Sequence, residues 1–188
     1  MGNTLTISNL EIDGCWSFEP KIHSDSRGDF YEWFQADAFN EIQGEEFQLA
    51  QANCSTSKKG VLRGIHYTKS APGQSKLVTV ISGSVLDVIV DLRQSSPTFK
   101  KWQIIKLEAA NPKSIYIPWG VGHGFLSLED DTNFVYLCDQ RYNPANEFDL
   151  NAFDPDIGIE WPSEIKVIQS EKDKLAPTLE SLKDQLPQ

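Results

Sequence analysis

The middle of this chain is a succession of short, β-branched, alternating segments broken by turn dipeptides, and that pattern constrains its fold most. Period-two alternation sends every second side chain to one face, so each segment reads as a strand with one buried side. The candidate strands are 30–34, 47–57, 61–67, 76–82, 85–92, 102–107, 114–117, 124–128 and 133–139. Turn signals separate many of them: Lys59-Gly60, Ser82-Gly83, Ser96-Pro97, Asn111-Pro112, Trp119-Gly120, Asp130-Asp131 and Asn143-Pro144. Many short strands at close spacing predict an all-β sandwich or barrel. Two stretches read as helical: 36–43, and 177–185, which follows a proline and carries Leu179, Leu182 and Leu186 at near-helical spacing. No repeat, low-complexity tract or linker divides the 188 residues, so a single domain spanning 1–188 is expected.

Composition removes several function classes. The net charge of −10 argues against nucleic-acid or anionic-membrane binding, which call for basic surfaces. It leaves room for one anionic small molecule held by locally placed Arg and Lys. No apolar run approaches the roughly 18–20 residues of a membrane span, and the first residues lack the pattern of a signal peptide. A cytoplasmic location is expected. Cys15, Cys54 and Cys138 are scattered and odd in number, with no CxxC pairing, so neither a disulfide framework nor a zinc site is expected.

Two segments carry chemistry. The first runs Gly60-Val-Leu-Arg63-Gly-Ile-His66-Tyr-Thr68, followed by Lys76 and Gly83; the second is Pro118-Trp-Gly120-Val-Gly-His123. A lone histidine in a strand is ordinarily a packed or surface residue, and a lone lysine a solvated charge. Both segments in order, with paired glycines, are far more specific. Together they resemble the two motifs of the cupin superfamily, a double-sheet jelly-roll barrel. Metal-binding cupins resemble a three-His, one-carboxylate site. Here Thr68 stands where the second His would be and Lys76 where the Glu would be. Two imidazoles beside an ammonium make a poor divalent site, so chemistry without a metal or other cofactor is expected.

A narrower resemblance covers residues from about Gly14 to Pro177. Asp25-Ser-Arg27-Gly28-Asp-Phe-Tyr-Glu32, Gln51-Ala-Asn53-Cys-Ser-Thr-Ser57, the segments 60–67 and 83–93, and Ser96-Pro-Thr-Phe99 carry its first half. His123-Gly-Phe-Leu126, Tyr136-Leu-Cys138, Tyr142-Asn-Pro144 with Glu147, Asp154-Pro155 and Ile159-Glu-Trp161-Pro162 carry the second. These motifs are similar to those of the dTDP-4-dehydrorhamnose 3,5-epimerases. The resemblance implies inversion at C3 and C5 of a dTDP-linked 4-keto-6-deoxyhexose. Such a reaction needs a base on one face, an acid on the other and positive charge near the ketone oxygen.

The family motifs place His66 as the base and Tyr136 as the acid. The Ser170-Glu-Lys-Asp173 segment matches the place from which an aspartate orients the histidine, so Asp173 is preferred over Glu171. Lys76 would stabilise the enolate oxygen, and His123 the same oxygen or a sugar hydroxyl. Arg27, Arg63 and Lys172 would hold the pyrophosphate. Glu32, Gln51, Asn53 and Glu147 match positions that bind sugar, ribose or base, and Tyr142 one that stacks on thymine. The resemblance also implies a homodimer exchanging an N-terminal strand, in which Arg27 and Glu32 could reach the partner's pocket. Three alternatives stand beside this reading: an epimerase of C3 or C5 alone, a metal-dependent cupin oxygenase or isomerase, and a non-catalytic sugar-binding cupin.

Overall fold

A computed structural model describes residues 5–43 and 47–188. Its elements are β1 (Leu5–Asn9), β2 (Trp16–Pro20), β3 (His23–Asp25), β4 (Gly28–Phe30), α1 (Ala36–Gln43), β5 (Gln51–Ser57) and β6 (Leu62–Thr68). There follow β7 (Lys76–Ser82), β8 (Ser84–Asp91), β9 (Trp102–Glu108), β10 (Ser114–Ile117), β11 (Val121–Ser127), β12 (Thr132–Cys138), β13 (Glu147–Asp149) and α2 (Glu171–Lys174). The strands form a six-stranded sheet, β1-β2-β10-β7-β12-β5, and a five-stranded sheet, β13-β6-β11-β8-β9, with β3 and β4 as a separate ribbon. All these pairings are antiparallel. This is the double-sheet jelly roll expected of the sequence.

Alternation builds three apolar layers. Between the sheets, Val78, Val80 and Phe134 meet Val85, Ile89 and Phe125. The opposite faces are also covered. Leu62, Ile65, Val88 and Val90 of the five-stranded sheet lie under Leu150, Leu179, Leu182 and Leu186 of the C-terminal segment. Leu77 and Tyr116 of the six-stranded sheet pack with Ala38 and Phe39 of α1. Each large side chain so buried contributes roughly 1.5–3 kcal/mol.

The expected strands 76–82 and 114–117 coincide with β7 and β10, and the expected helix at 36–43 with α1. Others differ in extent. Of the expected strand 30–34 only Phe30, the last residue of β4, is in a strand; the chain then leaves the ribbon, and Phe34 joins the Phe39 and Phe47 rings. Expected strand 47–57 begins only at Gln51, and expected strand 124–128 is β11, which begins three residues earlier. The expected helix at 177–185 is reduced to a 3-10 turn over 180–182. Its amides bond three residues back, Ser181 to Thr178 and Leu182 to Leu179, which puts Leu179 and Leu182 on one side against the sheet. Strands β1, β2, β3 and β13 and helix α2 were not expected from pattern.

Candidate active site

One end of the space between the sheets is polar. A cavity of about 380 Å³ opens there. Arg63 and His66 of β6 and His123 of β11 line one wall; Gln51 and Asn53 of β5, Lys76 of β7 and Tyr136 of β12 line the other. Tyr142, Glu147 and Lys172 stand at the same cavity. Lys76, Val78 and Val80 share the inner face of β7, so the lysine ends an apolar row and turns polar at its mouth.

On β6, Arg63 and His66 are three residues apart, and regular pleating would put them on opposite faces. The ladder between β6 and β11 shifts between His123↔His66 and Phe125↔Arg63, leaving one extra residue on β6. That bulge brings both side chains into the cavity. Gly64 makes it possible: its φ is +106°, and a Cβ there would lie 2.6 Å from the His123 carbonyl oxygen.

His66 is tethered from behind. Its Nε2 lies 2.7 Å from Asp173 Oδ1. A carboxylate only accepts, so Nε2 carries the proton, and Nδ1 is left with its lone pair. Asp173 is itself fixed. Ser170 Oγ donates to Asp173 Oδ2 at 2.9 Å, and the Asp173 amide donates back to Ser170 Oγ at 3.1 Å. This capping exchange starts α2. Burial pushes the Asp173 carboxyl up, but the bond and charge of His66, with Ser170 and Lys172, hold it below the usual carboxylate range.

Tyr136 faces this pair from the other sheet. Burial raises its hydroxyl above the ordinary phenol value, with Cys138 and Glu147 adding and Arg63 opposing. It therefore keeps its proton at neutral pH and is a donor. His123 Nε2 lies 2.7 Å from Asp87 Oδ1, a carboxylate wholly buried on β8. Gln51 Nε2 donates to Asn53 Oδ1 at 2.9 Å, while the Tyr142 amide donates to Gln51 Oε1 at 2.9 Å. Those bonds hold Tyr142, whose ring is largely exposed, over the cavity mouth.

Arg27 and Glu32 do not line this cavity. Arg27 lies on the β3–β4 turn, 88% exposed and paired with Asp25 at 2.6 Å; Glu32 accepts from Gln35 Nε2 at 2.8 Å. Thr68 is buried, and its hydroxyl accepts the Gln74 amide. Sequence reading missed Asp87 and Asp149. Asp87 had a signal, an acidic residue inside the apolar run Val85-Leu-Asp-Val-Ile. Asp149 shares a face with Glu147 once β13 is known to be a strand. Asp149, Asp173 and His66 bring ligand-type atoms within 4.8 Å of one another. That set could offer a cation two carboxylates and a nitrogen, but the Lys172 ammonium already lies 2.9 Å from Asp149.

Residues 9–181 match the family described as dTDP-4-dehydrorhamnose 3,5-epimerase. A dTDP-4-dehydro-6-deoxyglucose 3-epimerase of Streptomyces bikiniensis is 48% identical over 170 residues, covering 90% of this chain and 87% of that protein. A dTDP-4-dehydrorhamnose 3,5-epimerase of Mycolicibacterium smegmatis is 45% identical over 175 residues, covering 93% and 86%. The structure is similar to that of a dTDP-6-deoxy-D-glucose-3,5-epimerase from Legionella pneumophila in complex with dTDP-4-keto-L-rhamnose. That match has a TM-score of 0.92 and 42% identity, and covers 98% of each chain. With a wall-to-wall arrangement of imidazole and phenol inside a jelly roll, and similarity along nearly its whole length, the chain belongs to the dTDP-4-dehydrorhamnose 3,5-epimerase family.

Proposed function

We propose that this protein inverts C3 and C5 of dTDP-4-dehydro-6-deoxy-D-glucose, giving dTDP-4-dehydro-L-rhamnose. The observation that carries this is the placement of His66 and Tyr136 on opposite sheets across one cavity. Both carbons flank the C4 ketone, so one apparatus serves both. His66 Nδ1 takes the proton, and the C–H electron pair moves into the carbonyl to form an enolate. Lys76 faces the developing charge on oxygen; removing such a donor costs ~2.7–4 kcal/mol in barrier. Tyr136 returns a proton from the other side, and water restores both groups. Asp173 fixes the tautomer and balances the imidazolium.

Arg63 and Lys172 supply charge for the diphosphate, and Tyr142 a flat ring for thymine. Gln51, Asn53, Glu147 and His123 supply polar contacts to sugar, ribose and base. No metal takes part in this scheme, since Lys76 and Lys172 bring ammonium groups to the places a cation would use. Arg27 and Glu32 serve the cavity of a second copy in a homodimer, a role consistent with their distance from their own cavity and with the exposed Phe30 beside them. Three unpaired thiols suit the reducing cytoplasm. Among the described residues, no helix is long and apolar enough to cross a membrane.

A second reading, inversion at C3 alone, is favoured by the 48% identity to a 3-epimerase. NMR analysis of the product formed from dTDP-4-keto-6-deoxyglucose separates the two. The L-rhamno configuration supports double inversion, a product altered only at C3 selects the second reading, and unchanged substrate contradicts both.

A further inference from the structure

The scheme above leaves Asp149 without a task, although its place is unusual. β13 pairs with β6 so that Asp149 stands opposite His66. Its side chain is only 17% exposed. A single oxygen, Oδ1, lies 2.9 Å from Lys172 Nζ and 3.6 Å from His66 Nε2. That nitrogen is the one already bonded to Asp173.

A carboxylate in this position costs desolvation energy unless a cation pairs with it. Lys172, 2.9 Å away, is that cation, and Asp149 keeps the ammonium charged against the effect of partial burial. Lys172 also lines the cavity, more than half exposed. A diphosphate at the mouth competes for the same ammonium. Once Lys172 turns to it, the other cation within 4 Å of Asp149 among the described residues is the imidazolium that His66 becomes on taking a proton.

We propose that Asp149 is a positioning residue in an ion-pair exchange. Lys172 holds it in the free enzyme, and nucleotide binding releases its charge to the His66 imidazolium. The inference rests on the epimerase reading above. It explains how a charge needed during proton transfer is kept paired before substrate arrives. It also makes the base better supported when the nucleotide is present.

The test is Asp149→Asn, with dTDP as the probe in calorimetry and turnover measured separately. Lys172 then has no partner to leave and a repelling carboxylate is gone, so dTDP binds about two- to fivefold more tightly. The imidazolium loses a nearby opposite charge, so kcat falls about tenfold. Asp149→Glu, which keeps the charge, gives a kcat closer to wild type than Asn does. Affinity and kcat thus move in opposite directions, whereas a merely structural residue would lower both. Joint loss, or no change in either, overturns the proposal. Wild-type protein that binds no dTDP contradicts the nucleotide reading and this inference with it; wild-type binding with an unaltered variant contradicts the inference alone.

Discussion

His66 presents two nitrogens in different settings, and in the proposed mechanism Asp173 decides which one reacts. The carboxylate accepts from Nε2, so the lone pair lies on Nδ1. Asp173→Asn replaces an obligate acceptor with a group that can also donate, which permits the wrong tautomer. Turnover should fall about 10²–10⁴-fold while dTDP still binds, as steady-state kinetics with calorimetry would show. Tyr136→Phe removes the proposed acid on the opposite wall and leaves the proposed base, His66. Solvent deuterium should still enter the substrate, while inversion falls about 10²–10⁴-fold; parallel loss of exchange and inversion would place Tyr136 elsewhere in the mechanism. The place of His66, Lys76 and Tyr136 at the cavity was legible because each sits within a motif. Asp149 was not, because its only signal is a strand of three residues.

The element that matters most is β6 with its bulge at Gly64. Alternation alone predicts its extent to within a residue, but not that Arg63 and His66 share a face. The extra residue appears only in the pairing with β11. Gly64→Ala would set a Cβ against backbone, 2.6 Å from the His123 carbonyl oxygen and 2.7 Å from Gly124 Cα, at a φ of +106°. A loss of at least about 1–2 kcal/mol in urea unfolding is expected, with turnover reduced because both strands that carry histidines must shift. Helix α2 shows the opposite limit of legibility. Four residues are too few for periodicity, yet Ser170 followed three positions later by Asp173 is the spacing of a capped helix start. The C-terminal leucines reported burial correctly and secondary structure incorrectly. Their spacing fits both an α-helix and the 3-10 turn that forms.

At the scale of the molecule, two sheets held apart by apolar rows leave one polar end, and the cavity is the place where those rows stop. Two buried aspartates tie this arrangement to pH. Burial works upward on Asp91, but bonds from Arg93, Ser96 and Thr98 prevail and hold it low, as His66 and its neighbours do for Asp173. A carboxyl whose folded value lies below its unfolded one stabilises the fold above about pH 4 and loses that contribution as pH falls through the folded value. Stability from chemical denaturation should therefore drop as pH falls below about 4, and Asp91→Asn should flatten that drop. The central claim is that His66 removes protons on either side of the ketone. It is tested most directly by incubating wild type and His66→Ala with dTDP-4-keto-6-deoxyglucose in deuterated water and reading each carbon by NMR. The account predicts deuterium at C3 and C5 with wild type and at neither with His66→Ala; exchange at near wild-type rate without His66 would contradict it.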